Sequence, residues 1–200
     1  KAHALKEKGV NIKIGDYNDY NSLVEAFKGV DKLLFVSGSE IGTREAQHKN
    51  VVNAAKEAGV DFIAYTSFIR HVDSKDSAIG FLQDTHQKTE QWIKDSGIDY
   101  TILQNGLYLD ILPMFLGENV LNDGILLPAE DGKSNSVLRA ELAEAAAHVL
   151  TTSGHENQTY PLVNNEALTY QDVANQLSSI KCETVNYKST KTDNYKNILK

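Results

Sequence analysis

Leu33-Leu34-Phe35-Val36-Ser37-Gly38 and, beyond residues 39–59, Val60-Asp61-Phe62-Ile63-Ala64-Tyr65 are the pair of runs whose reading decides the fold. The first is a continuous apolar run of strand length, the pattern of a strand covered on both faces. The second reads as another strand. Between them, residues 43–58 align Gln47, Val51, Ala54 and Ala58 along one helical face, and Gly59 supplies the stop. Strand, helix and strand of these lengths form a right-handed crossover, which places two parallel strands in one sheet.

The pattern repeats on either side. Upstream, Val10-Asn11-Ile12-Lys13-Ile14 alternates at period two, as a short strand does. Asp19 or Asn21 then caps a helix with Leu23, Val24 and Phe27 on one face, ended by Gly29. Downstream, a helix is expected over 84–96, closed by Gly97, and a strand over 98–103. Four strands alternating with helices specify an α/β fold, a Rossmann-like doubly wound parallel sheet.

The later half differs. Residues 107–121 are apolar but interrupted by Pro113 and Gly117, a broken helix. An extended stretch over 124–128, an Ala-rich helix over 141–151 and a strand over 160–163 follow, and Thr169-x-x-Asp172 opens a helix to 180 as a capping box. The expected division is a dinucleotide-binding domain over 1–106 and a small α/β substrate lobe over 107–200, interleaved with the first.

With 200 residues, 41% of them hydrophobic and only three prolines, the chain is a folded domain or one domain with an appendage. Its net charge of −7, with acids and bases interleaved, lacks the basic footprint that nucleic acid requires. The longest apolar runs, such as 33–36, are too short to cross a bilayer. Cys182 is the lone cysteine, so an intrachain disulfide is excluded, a reducing cytoplasm is the expected setting, and a partly buried inert thiol is expected. The histidines lack the spacing of a zinc site. The chain opens on Lys1 and contains no Gly-rich strand-to-helix turn of the kind that grips a pyrophosphate. It is therefore expected to be an internal fragment that binds a dinucleotide poorly by itself.

Several segments together carry a family resemblance. They include Gly15-Asp16-Tyr17-Asn18-Asp19, Gly29-Val30-Asp31, Val36-Ser37-Gly38-Ser39-Glu40-Ile41-Gly42-Thr43-Arg44 and Gln47-His48-Lys49-Asn50-Val51. Ala54-Ala55-Lys56-Glu57-Ala58-Gly59-Val60, Ile63-Ala64-Tyr65-Thr66-Ser67, Asp99-Tyr100-Thr101, Asn105-Gly106-Leu107-Tyr108 and Gly154-His155-Glu156-Asn157 continue it. In this order, over most of the chain, they resemble the NmrA-like branch of the atypical short-chain dehydrogenases, in particular its bacterial NAD(P)H:quinone oxidoreductases of type 2. The resemblance implies a Rossmann domain that binds NADPH or NADH and passes a hydride to a quinone or another small planar acceptor. It also implies an upstream strand with its Gly-rich loop, a second strand with the basic residue that selects NADP, and a further segment after Lys200. The alternative it allows is a redox sensor that binds the dinucleotide without turnover. The expected partners are thus a small quinone-like molecule and, as a permitted assembly, a second copy in a homodimer, with no nucleic acid and no membrane.

The resemblance also selects residues. Asp16 with Tyr17, just past a strand end, would meet the adenine edge of the cofactor. Ser37, Gly38 and Ser39 follow the next strand, where Gly admits close backbone approach and Ser offers a donor to the ribose. Tyr65, Thr66 and Ser67 would lie under the nicotinamide, holding a substrate oxygen. His86, near the start of its helix, would reach the nicotinamide ribose and donate a proton, since imidazole exchanges protons near neutrality. Asn105 would hydrogen-bond a carbonyl or the carboxamide, and Tyr108 would stack on a flat ring. Relatives carry Arg before this Asn-Gly, where the chain has Gln104, which removes a fixed charge. Tyr187-Lys188-Ser189-Thr190-Lys191 matches the Tyr-x-x-x-Lys dyad of conventional short-chain dehydrogenases, but that dyad needs one helix face beside the nicotinamide, and this polar run is poorly helical.

Overall fold

Parallel ladder bonds set Lys32 opposite Phe62 and Phe35 opposite Tyr65, so the two runs that decided the fold are neighbours in one sheet. The computed structural model describes residues 2–70, 74–77 and 79–198; Lys1 and Lys200 lie outside them. Along the chain come α1 (Ala2–Glu7), α2 (Tyr20–Phe27), β1 (Lys32–Phe35), α3 (Arg44–Ala58), β2 (Phe62–Phe68), α4 (Gly80–Ser96) and β3 (Asp99–Asn105). There follow α5 (Leu112–Leu116), α6 (Val120–Asp123), β4 (Ile125–Leu127), β5 (Lys133–Ser134), α7 (Arg139–Thr151) and β6 (Gln158–Leu162). The chain closes with β7 (Leu168–Thr169), α8 (Tyr170–Lys181), β8 (Tyr187–Ser189) and α9 (Thr192–Ile198).

The chain divides into two compact units, residues 1–104 with 144–161, and residues 105–143 with 162–200. The first holds the main sheet, in the order β1-β2-β3-β6. Along β3 and β6 the backbone bonds climb together, Asn157 N–H to Tyr100 O and then Gly106 N–H to Leu162 O, which is a parallel relation. Leu23, Phe35, Val51, Ala54, Ile63, Ile93 and Ile102 meet in one buried cluster, drawing on α2, α3, α4 and three strands. Each such side chain taken from water contributes about 1.5–3 kcal/mol. Asp19 caps α2 by accepting from Ser22 N–H, and Gly59, at φ +76°, ends α3.

Three sequence expectations change here. The alternating stretch 10–14 is not a strand: it has no ladder partner among the described residues, and Ile14 is 91% exposed. Period two is necessary for a strand, but ladder hydrogen bonds make one. β1 is not covered on both faces. Phe35, pointing to one face, is fully buried, while Leu34 and Val36, pointing to the other, are 37% and 54% exposed. The fourth strand of the sheet is instead β6, from a stretch assigned by sequence to the small lobe; residues 144–161 return to the first unit.

The second unit contains two small pairings. β4 runs parallel to β8, and β5 antiparallel to β7. Thr169 and Asp172 form the capping box that starts α8, with both reciprocal bonds present. Ala174 of that helix packs against Ile125 and Leu127. Cys182 is exposed rather than partly buried, because it ends α8 in the left-handed conformation at φ +59°. Tyr187 lies in a strand, so the Tyr-x-x-x-Lys match shares no helix face. No helix among the described residues is long and apolar enough to cross a membrane.

Candidate functional site

The carboxyl end of β1 leads into Ser37-Gly38-Ser39, and this is the edge of an open α/β sheet where ligands bind. Its backbone is held from three sides. Thr66 Oγ1 accepts Ser37 N–H at 2.9 Å, His48 Nε2 accepts Gly38 N–H at 2.9 Å, and the Tyr17 hydroxyl donates to Val36 O at 3.0 Å. A Cβ at Gly38 would stand 3.2 Å from Gln47 Oε1 and 3.6 Å from His48 Nε2, so a side chain here would crowd the groups that anchor the loop. Ser39 is exposed. Asp16 spends Oδ1 on its own turn, accepting from Asn18 N–H and Nδ2 at 2.9 and 3.2 Å.

Beneath this loop lies a buried polar network built by α3, β2 and α4. Arg44 Nη2 donates to His86 Nε2 at 2.8 Å, and His86 Nδ1 pairs with the Tyr65 hydroxyl at 2.8 Å. His48 Nδ1 pairs with Thr89 Oγ1 at 2.8 Å, and Thr89 donates to Thr85 O at 2.7 Å. The donors dictate the tautomers. An amide and a guanidinium can only donate, so Nε2 of each histidine accepts and the ring proton sits on Nδ1. His86 therefore donates to Tyr65, and His48 donates to Thr89.

Burial, reinforced by the Arg44 guanidinium, lowers the pKa of both histidines to about 3. Burial also raises that of Tyr65 well above the ordinary phenol range. The site is thus neutral at its imidazoles across the physiological range. His86 corrects the sequence reading: it lies in the second turn of a helix that begins at Gly80, is buried, and has both ring nitrogens occupied. An imidazole in that state does not exchange protons near neutrality.

The residues Tyr65, Thr66 and Ser67 separate by strand alternation. Tyr65 and Ser67 point to α4, where Ser67 donates to the Glu90 carboxylate, and Arg70 grips both oxygens of that carboxylate at 2.9 Å. Thr66 alone is partly exposed, and it holds the Ser37 loop. Asn105 closes β3 with its side chain buried, and its Oδ1 has no partner among the described residues. An unpaired buried carbonyl oxygen fits the amide N–H of a carboxamide or another neutral donor. The following Gly106 is required by packing, since a Cβ would lie 2.8 Å from Asn135 O. In the second unit, Tyr108 is bridged to Val137 and lines an apolar cavity.

Sequence reasoning gave no role to Arg44, His48, Thr89, Glu90 or Arg70. A signal was present. Arg44, Gln47, His48 and Val51 stand at i, i+3, i+4 and i+7 on α3, as do His86, Thr89, Glu90 and Ile93 on α4. Polar side chains at core positions of two amphipathic helices mark a buried network. Among the described residues no cluster of His, Cys, Asp and Glu could hold a metal.

Comparison with known proteins shows the family. The model of the NmrA-like family matches residues 1–200. Quinone oxidoreductase 2 of Escherichia coli is 41% identical over 201 residues, covering 100% of this chain and 68% of that protein. The crystal structure of the Citrobacter sp. triphenylmethane reductase complexed with NADP(H) superposes with a TM-score of 0.89 at 41% identity, covering 98% of this chain and 69% of that one. An NADPH-dependent quinone oxidoreductase from Escherichia coli, complexed with NADPH, gives 0.82 at 41% identity, with 95% and 66% covered. The chain thus spans about two thirds of the length of these relatives, and with them it belongs to the NmrA-like family.

Proposed function

We propose that the protein is an NAD(P)H-dependent oxidoreductase that delivers a hydride to a quinone or a similar small planar acceptor. The observation that carries the reading is 41% identity, over the whole chain, to a quinone oxidoreductase. The buried, unpaired Asn105 Oδ1 adds a group suited to a neutral amide donor. Relatives that match along the chain bear reductase names, so turnover is favoured over sensing. A bound reduced nicotinamide supplies the hydride. Ser37, Gly38 and Ser39 present backbone and hydroxyl groups to that cofactor. Thr66 and His48 hold this loop in place from below, and Asn105 accepts from the carboxamide or orients the acceptor. Asp16 and Tyr17 flank the adenine end. His86 and Tyr65 are positioning residues, since their polar atoms are committed to the interior network. The Tyr108 ring stacks on the acceptor.

The test is NADPH oxidation by the full-length protein with a benzoquinone as acceptor, followed by loss of the reduced nicotinamide absorbance. Asn105→Leu is expected to lower kcat/KM by about ten- to a hundredfold, the loss of one buried hydrogen bond of about 1–3 kcal/mol. Its thermal stability should be retained, because the substitution removes an unpaired polar atom. Undiminished turnover in Asn105→Leu would remove Asn105 from the site, and absence of quinone-dependent oxidation in the parent protein would overturn the reading.

A further inference from the structure

The second unit encloses a cavity of about 180 Å³. Tyr108, Leu112, Phe115, Leu127, Leu168 and Val173 form its walls, and no charged side chain lines it among the described residues. Its serine and threonine hydroxyls bond within the wall. Ser134 Oγ and Ser136 Oγ bond each other at 2.9 Å. The Thr169 hydroxyl donates to Asp172 Oδ2 at 2.7 Å and accepts Asp172 N–H at 3.1 Å. A charged guest would forfeit its hydration here and meet no opposite charge in return. An apolar cavity of about 150 Å³ stays dry and takes up benzene. The extra volume here leaves room for small substituents on one ring, and the Tyr108 and Phe115 rings offer aromatic surface to it. Leu107 and Phe115, 42% and 50% exposed, put apolar surface at the mouth, so a guest can enter from solvent.

We propose that this cavity is a binding site for an uncharged single-ring molecule of the alkylbenzene type, held by apolar contact and ring packing. The proposal shares Tyr108 with the hydride-transfer reading and in that residue rests on it, but binding of the ring needs no dinucleotide. The experiment is a titration of the full-length protein with toluene, without cofactor, read by the methyl resonances of Leu112, Leu127 and Val173. Toluene is expected to shift these signals saturably, and benzoate at equal concentration to leave them in place. Val173→Phe, which fills the cavity from α8, should abolish the shifts at the remaining methyls. Leu168→Trp, from the exposed edge and therefore less demanding of the fold, should do the same. The proposal is overturned if toluene produces no saturable shift up to its solubility. Benzoate matching toluene, or shifts persisting undiminished in a folded filled variant, would sink it equally. Because NADPH oxidation is not read, failure of the reductase reading leaves these outcomes unaffected.

Discussion

Each imidazole of the buried network accepts at Nε2 from a group that has only protons to give, Gly38 N–H for His48 and the Arg44 guanidinium for His86. Protonating either ring would turn an attractive contact into an opposed pair of donors inside the core. The pH dependence of stability follows in sign. The unfolded chain takes up a proton near pH 6.5, whereas the folded state resists until about pH 3. The network's contribution is therefore complete above pH 6.5 and declines as pH falls towards 3. Between pH 6 and 4 each histidine is expected to cost about 1.4 kcal/mol of unfolding free energy per pH unit. Denaturant unfolding across that range, with His86→Asn as comparison, reads the effect. The variant's stability should fall less steeply by about that amount, and parallel slopes would show that His86 does not stay neutral in the fold. At this scale the sequence was legible in part. It identified His86, Thr66 and Asn105 as special but missed that His86 faces inward, in line with Thr89, Glu90 and Ile93 on the buried face of α4.

At the scale of elements, local chemistry was the most readable. Asp19, Gly59, Gly97 and the pair Thr169 and Asp172 stop or start helices where the sequence places them. These signals act within one turn of chain, so no tertiary information is needed to read them. Thr169→Ala removes the side chain that accepts Asp172 N–H, and is expected to cost about 1 kcal/mol, measured as a shift in the denaturant midpoint at unchanged slope. A change below a few tenths of a kcal/mol would show that the first turn of α8 is held by its packing instead. Strands were less readable. Residues 10–14 have the right alternation but no ladder partner among the described residues, while 158–162 have a weak pattern and a place in the main sheet. A strand is a relation between segments, and its existence depends on a partner remote in sequence.

At the scale of the molecule, the chain carries strand ends suited to a nicotinamide cofactor but no Gly-rich turn to hold a pyrophosphate. The 200-residue chain alone is accordingly expected to show no saturable NADPH binding in a titration through the micromolar range, followed by nicotinamide fluorescence. A micromolar Kd would show that Ser37, Gly38 and their neighbours suffice without the phosphate anchor. The amino-acid sequence by itself determined the α/β class, the parallel pairing of its first crossover, several helix caps and stops and the family, because periodicity, caps and motifs are properties of adjacent residues. Only the tertiary structure decided which segment completes the sheet, that His48 and His86 are neutral and fixed in one tautomer, and that the second unit holds an apolar cavity. Those outcomes rest on burial and on hydrogen bonds between residues tens of positions apart, and a group's charge, pKa and freedom to bind are set by what surrounds it in space.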